Sequence, residues 1–315
     1  GSNSGTYYDP MMNDATGLGL EEFFGGDGTF DAGVPPLRCI LFHNNVLQVE
    51  QAAAEHHAAA DGYAEYLFLL ELSHLWGPAI KVPAPKPDTL IGFPFHWSFF
   101  MSAGASPAGG NQWIDNQDGT FTVTPNTPST LKFSPLDLYL MGLAPAEGVP
   151  PFFVIEDVVA PSSPTDPLAG GKVGGHTFPW FADDEPLTVS GTRRDLTIEE
   201  VVGTNGVRSP VAGTKTNYTL GVVLITSQND GEQEVAAAKD ALRPIAERLA
   251  PRFAEATSEQ GTLELITNVA EAPSGAGGAG GAGGAGGDPA SGGSGGSTSA
   301  SGGSNESQDS GCSLP

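Results

Sequence analysis

The composition of the chain changes abruptly near residue 271, and this change limits the length available for folding. Residues 271–315 contain no Lys, no Arg and no aromatic residue, and residues 275–287 repeat a Gly-Ala-Gly unit. Such a segment buries too little apolar area to offset the entropy lost on ordering, so we expect a disordered Gly/Ala/Ser-rich linker and tail. A flexible chain of about 45 residues reaches roughly 35–40 Å, which is the length of a tether.

Residues 1–270 are long enough for one folded domain, and we expect an α+β architecture for it. The Pro- and Gly-rich stretch 160–185 predicts loops and a possible division into two lobes. Sequence periodicity and turn residues predict the remaining elements. The predicted strands are 37–42, 152–155, 219–226 and 262–266, the predicted hairpin is 113–123, and the predicted helices are 49–60, 63–76, 135–143 and 232–249.

Three local signals fix details of these elements. We expect Asp61 to cap the second helix and Pro244 to kink the last one. Ser134, followed by Pro and then by an acid at Asp137, predicts a capping box at the start of the third helix.

The charge balance excludes several classes of partner. The chain has 37 acidic and 13 basic side chains, which gives a net charge of −24. A polyanion with no basic stripe repels phosphate backbones and anionic lipid surfaces, so we expect no nucleic-acid binding. No apolar run approaches the ~20 residues needed to cross a bilayer, so we expect no transmembrane segment. The expected partner is an extracellular protein or peptide of neutral or basic character, and the expected state is a monomer.

Residues 70–77 carry the most informative pattern, with the sequence Leu-Glu-Leu-Ser-His-Leu-Trp-Gly. On a helix, Glu71 and His74 lie on one face with Leu67 and Leu70, because residues three and four apart stack above one another. This face is otherwise apolar, and burying polar groups there is costly unless they are satisfied. A carboxylate and an imidazole on a core-facing stripe therefore indicate a specific role.

This segment resembles the active-site helix of the zincin metallopeptidases, His-Glu-x-x-His, and its metzincin extension x-x-Gly-x-x-His. In that pattern two histidines one turn apart bind zinc, and the glutamate between them activates water. Glu71 matches the catalytic general base, His74 the second zinc ligand and Gly77 the turn glycine. The resemblance therefore implies a zincin-like fold built around this helix.

Two positions depart from the family pattern, since Leu70 occupies the place of the first histidine and Ile80 that of the third. Leucine has no lone pair, whereas a catalytic zinc normally needs three protein ligands. His96 is the obvious replacement, and Glu71, His74 and His96 would form a His/His/carboxylate set suited to zinc or iron. The alternative is that Glu71 and His74 bond to buried backbone or to each other without any metal.

Two further residues carry weaker resemblances. Met141 matches the methionine that metzincins place beneath their metal. The end of the tail, Ser-Gly-Cys at residues 310–312, is similar to the start of the myxobacterial carboxy-terminal sorting signal (MYXO-CTERM). That resemblance implies that Cys312 is a sorting or lipid-attachment point and that the protein is secreted or held at the outer cell surface. Cys39 lies in the apolar run 37–42, and we expect it to be a buried free thiol.

Three functions agree with these features. The first is a secreted or surface-tethered metallopeptidase-like binding domain, a pseudoenzyme without conventional zinc catalysis and without a cofactor. The second is an active metallopeptidase with a rearranged zinc site at Glu71, His74 and His96. The third is a structural or adhesive surface protein. The missing ligand favours the first over the second, and the grouping of Glu71, His74 and Gly77 favours the first over the third.

Overall fold

A computed structural model describes residues 6–10, 14–20, 38–43, 62–92, 96–159 and 186–266. The helices are α1 (Tyr63–Ser73), α2 (Pro135–Met141), α3 (Ile198–Asn205) and α4 (Glu232–Ala256). The strands are β1 (Thr6–Pro10), β2 (Cys39–His43), β3 (Trp97–Ser102), β4 (Gly109–Asn111), β5 (Trp113–Asp115), β6 (Thr120–Val123), β7 (Phe152–Val159), β8 (Leu187–Leu196), β9 (Asn217–Gly221) and β10 (Thr262–Ile266). The predicted helix 49–60, the possible lobe division at 160–185 and the tail 271–315 lie outside the described residues.

A six-stranded sheet in the order β4-β3-β7-β8-β6-β5 forms the main layer. Its centre is the antiparallel pair β7–β8, in register from Phe152 opposite Leu196 to Glu156 opposite Thr192. The first four residues of β7 are apolar and all buried, as expected for a strand covered on both faces. The strand predicted at 152–155 is confirmed, and pairing with β8 extends it to Val159.

The predicted hairpin is confirmed as β5 and β6, which pair antiparallel from Trp113 opposite Val123 to Asp115 opposite Phe121. Gln117 and Gly119 adopt φ angles of 64° and 84° in its turn. Glycine has no Cβ to clash in this conformation, which explains its place in the loop.

Helix α1 begins at Tyr63 and its N-cap is Gly62, so the prediction that Asp61 is the N-cap is wrong. Gly62 has a φ of 78°, and a Cβ on it would lie 2.9 Å from the Cα of Ser129. The helix was predicted to reach Trp76, but residues 74–76 bond to carbonyls three residues earlier rather than four. The last turn is therefore a 3₁₀ turn, and the α-helix ends at Ser73.

Helix α2 starts with the predicted capping box. The backbone N–H of Asp137 donates to the Ser134 hydroxyl at 3.2 Å, and the Ser134 N–H donates to the Asp137 carboxylate at 2.7 Å. The helix ends at Met141 rather than at Leu143, because Gly142 adopts a left-handed conformation with a φ of 77°.

The last helix and two two-stranded sheets complete the described structure, and the sheets are formed by β1 with β2 and by β9 with β10. Helix α4 continues through Pro244 and Pro251 to Ala256, seven residues beyond its predicted end. The predicted strand 262–266 is confirmed as β10, which pairs parallel with β9. The strand predicted at 219–226 is shifted to Asn217–Gly221.

The predicted α+β class is confirmed, since helices and strands share one hydrophobic core. This core contains residues of α1, α2, α4 and the central strands β3, β7 and β8. Within the described ranges, no helix has the length and apolarity that a bilayer crossing requires.

Candidate functional site

Helix α1 lies inside the core, and all eleven of its residues are buried. Its sequence explains this, because apolar side chains surround the helix and such a helix is stable only when covered on every side. Its buried Glu65 forms an ion pair with Arg248 of α4. The helix therefore carries charged groups into an environment where each needs a partner.

Glu71 and His74 lie one turn apart at the carboxyl end of α1, as helical spacing predicts. The Oε2 of Glu71 lies 3.7 Å from the Nε2 of His74. Only 4% of Glu71 and 8% of His74 is exposed to solvent. The pair is thus enclosed rather than open to bulk water.

His96 precedes strand β3 and meets this pair from outside the helix. The ring centroids of His74 and His96 are 4.9 Å apart, and the ring planes are inclined by 34°. His96 is 4% exposed, and its backbone carbonyl accepts a hydrogen bond from Gly92 at 3.2 Å. Together, Glu71, His74 and His96 form a buried cluster, which we call the Glu/His cluster.

The electrostatics of the cluster favour neutral imidazole at His96. Burial, and after it the positive charge that His74 can carry, hold the pKa of His96 well below its ordinary value. A neutral imidazole exposes one nitrogen lone pair, so it can accept a hydrogen bond or ligate a metal.

The two departures from the peptidase pattern are both buried. Leu70 is 3% exposed and Ile80 is 0% exposed, so each side chain is part of the core. The potential metal ligands near His74 are therefore two imidazoles, including that of His74 itself, and one carboxylate. If Glu71 ligated a metal it would no longer be available as a base, so these residues do not fit a conventional catalytic zinc site.

Among the described residues, no group of three or more His, Cys, Asp or Glu side chains is arranged to hold a metal ion. The assignment of His74 and His96 as metal ligands, and of Glu71 as a catalytic base, stays a prediction.

Met141 lies at the end of α2, beside the carboxyl end of α1. It lines a small cavity with Ser73 and Gly77 of the α1 segment and with Asp137. The Ser73 hydroxyl donates to the Leu70 carbonyl at 2.6 Å, which keeps that residue turned toward its own helix. Met141 therefore packs near the helix that carries the cluster, while its role as the methionine beneath a metal stays a prediction.

Asp137 has a larger role than the capping box that the sequence predicted. Its carboxylate also accepts a hydrogen bond from the indole Nε1 of Trp97 at 2.7 Å. Burial raises the pKa of Asp137, while hydrogen bonds from Ser134 and Trp97 favour the charged form. Because Trp97 follows His96 directly, this bond fixes the segment that brings His96 to α1. A buried tryptophan needs an acceptor, but the sequence does not indicate which one.

Arg208 is a second residue that sequence reasoning missed. Its guanidinium donates to the carbonyls of Leu140 at 2.8 Å and Met141 at 3.1 Å, and also to that of Pro210. A Cβ on Gly142 would lie 2.4 Å from its Cζ, so only glycine fits beneath it. Arg208 thereby satisfies the carbonyls at the end of α2 and fixes the backbone of Met141.

The two cysteines differ in what the structure describes. The Cys39 thiol is free, as predicted, but the residue is half-buried rather than fully buried. Burial raises the pKa of Cys39 to about 11, so it is protonated at neutral pH. Cys312 lies outside the described residues.

Comparisons with models of known protein families, with curated proteins and with solved structures find no match to this chain.

Proposed function

We propose that this protein is a secreted or surface-tethered binding domain with a zincin-like fold and without conventional zinc catalysis. In this proposal α1 corresponds to the active-site helix of a metallopeptidase, and the Glu/His cluster is what remains of its metal site. The domain acts by binding a neutral or basic extracellular protein or peptide.

The observation that carries the proposal is the buried leucine one turn before His74. Leu70 occupies the position from which the first imidazole would reach the metal, and it is 3% exposed. The remaining imidazoles contact each other rather than facing solvent. A peptide substrate needs an open coordination position beside the metal, and a closed pair of this kind does not offer one.

The overall charge supports a binding role outside the cell. With a net charge of −24, the chain attracts basic partners and repels other copies of itself. The tail 271–315, read as a tether, would hold the domain away from the surface to which Cys312 attaches it.

A second candidate function rests on the distances within the cluster. Glu71 lies 3.7 Å from His74, and the rings of His74 and His96 are in contact, so His74 has a potential ligand on each side. A metallopeptidase with a rearranged site would use Glu71, His74 and His96 to hold zinc, and another acid would have to activate water.

Metal content and casein cleavage separate the two functions. We expect purified protein, equilibrated with zinc and then desalted, to hold well below one equivalent and to leave casein intact with or without chelator. The finding of about one equivalent of zinc, together with cleavage that is lost in His74→Ala, would replace the binding domain with the rearranged peptidase.

A further inference from the structure

Strand β9 has an outer edge that no described strand covers. Within the described residues β9 has one neighbour, β10, with which it pairs in parallel from Asn217 opposite Thr262 to Gly221 opposite Ile266. Beyond β9 the chain stays beside β10 for one more residue, since the N–H of Val222 donates to the Ile266 carbonyl at 3.4 Å.

The backbone groups of this strand divide between its two edges. The carbonyl of Thr216 accepts from Thr262, and the N–H of Val222 donates to Ile266, so the even-numbered residues point toward β10. Backbone groups alternate sides along a strand, so those of Asn217, Thr219, Gly221 and Val223 point away from β10. This outer row of N–H and C=O groups is available to pair with another extended chain, and we call residues 217–225 the β9 edge.

The side chains of the β9 edge are exposed and apolar toward its carboxyl end. Val223 is 71% exposed and Ile225 is 80% exposed, whereas the alternate residues Tyr218 and Leu220 pack against the core. On the neighbouring strand, Ile266 is 42% exposed and adds to the same outer face. Natural edge strands are usually protected by charges or proline, but residues 216–229 contain neither.

We infer that the β9 edge binds an extended, basic segment of a partner protein by strand addition. Main-chain hydrogen bonds to the outer row would supply affinity, and Val223 and Ile225 would contact alternate apolar side chains of the partner. This inference rests on the proposed binding function and names the surface and the chemical class of the partner.

Charge decides between a partner protein and a second copy of this chain. Pairing two copies would bring together two molecules of charge −24, and Glu264 is exposed on the outer face of β10 beside the edge. The exposed Lys215, just before the amino end of β9, lies over the ring of Tyr218, with its Nζ 5.6 Å from the ring centroid. The outer face is therefore apolar toward its carboxyl end and has the carboxylate of Glu264 beside it, which suits a segment that alternates apolar residues with Lys or Arg.

The test uses a fluorescent nine-residue peptide, Lys-Val-Thr-Val-Lys-Val-Thr-Val-Lys, and measures its binding to the full chain by fluorescence anisotropy. We expect saturable binding that weakens with salt, and much weaker binding of peptides in which Glu replaces Lys or Pro replaces the central valines. Equal binding of the basic and acidic peptides, or no saturable binding of the basic one, would overturn the inference.

Matched variants locate the binding surface. The double substitution Val223→Lys with Ile225→Lys should weaken peptide binding by about tenfold or more, because it removes the apolar contacts and repels the lysines. The control, Val207→Lys with Val211→Lys, makes the same charge change at loop residues that are 70% and 68% exposed. A loss of similar size in the control would exclude the β9 edge as the binding surface.

A third variant tests the backbone hydrogen bonds. Val223→Pro removes an outward N–H while leaving the Val222 bond to β10 in place, so it should weaken peptide binding several-fold without unfolding the protein. A wild-type dimer in sedimentation that this variant converts to monomer would instead identify a second copy as the occupant and overturn the inference.

If the chain is metal-free and leaves casein intact but does not bind the peptide, the β9 inference alone fails. Zinc-dependent cleavage would refute the proposed function independently.

Discussion

Single residues decide whether the Glu/His cluster can bind a metal ion. Each of its members is buried, and each substitution changes the number of nitrogen or oxygen atoms that could ligate the metal. Helical spacing was enough to place Glu71 and His74 side by side, since that relation depends only on residues three apart. The contact between His74 and His96 joins residues 22 positions apart, so only the tertiary structure establishes it. Arg208 carried no sequence signal, because its acceptors are backbone carbonyls that any sequence possesses.

His43 provides a residue-scale prediction about pH. The Nε2 of His43 is enclosed and has no hydrogen-bond partner among the described residues, and its ring stacks on Phe68 with centroids 6.3 Å apart. Burial lowers the pKa of His43 from 6.5 to about 4. Because the pKa of His43 is lower in the folded state than in the unfolded state, His43 does not reduce the stability of the fold above pH 6.5. As the pH falls from 6.5 toward 4, the unfolded state takes up the proton first and the folded protein loses stability.

We therefore expect His43→Phe to reduce the loss of stability between pH 7 and pH 4 by at most about 3 kcal/mol. Urea unfolding at several pH values, run in parallel on both proteins, measures this difference. Parallel curves for the variant and the wild type would show that His43 does not contribute to the acid sensitivity.

At the scale of helices and strands, patterns among neighbouring residues predicted individual elements well, but they did not predict which distant strands pair. The capping box at Ser134, the hairpin of β5 and β6, and strand β10 depend on neighbouring residues, and all three were found as predicted. Strand β8 was not predicted, because its two arginines and its glycine mask the alternation, and its partner β7 lies about thirty residues earlier. The bounds of α1, β9 and α4 changed because hydrogen bonds to partners elsewhere, or a tighter last turn, decide where an element ends.

The end of α2 provides a prediction at this scale. Replacing Arg208 with Met keeps much of the volume but leaves the carbonyls of Leu140 and Met141 without their buried donor. We expect Arg208→Met to lower the free energy of unfolding by about 3 kcal/mol. The control, Arg243→Met, removes a guanidinium that is 69% exposed on α4 and should change stability by less than about 0.5 kcal/mol.

Denaturant unfolding of both arginine variants gives the comparison directly. If Arg208→Met were as stable as Arg243→Met, Arg208 would not be the group that secures the end of α2 and the position of Met141.

At the scale of the whole molecule, the protein combines a strongly acidic charge balance with a core that contains the Glu/His cluster. The α+β class could be predicted from the mixture of helical and strand patterns, while the order of the six-stranded sheet could not, since it depends on contacts between distant segments. Composition also predicted which kinds of partner to exclude, but it gave no indication of the β9 edge. That edge is defined by exposure and by strand order rather than by residue type.

We propose that Leu70 stands where a peptidase-type site would have a zinc ligand, and a zinc titration of Leu70→His tests this directly. Competition with a coloured chelator would compare this variant with wild type and with Leu72→His, which places the same residue on another face of α1. Circular dichroism would establish that all three proteins are folded.

We predict that wild type and Leu72→His bind zinc weakly, and that Leu70→His binds one equivalent on the order of 100-fold more tightly. This prediction is contradicted if wild type already holds one equivalent in a His74-dependent manner, or if Leu70→His binds zinc no more tightly than Leu72→His.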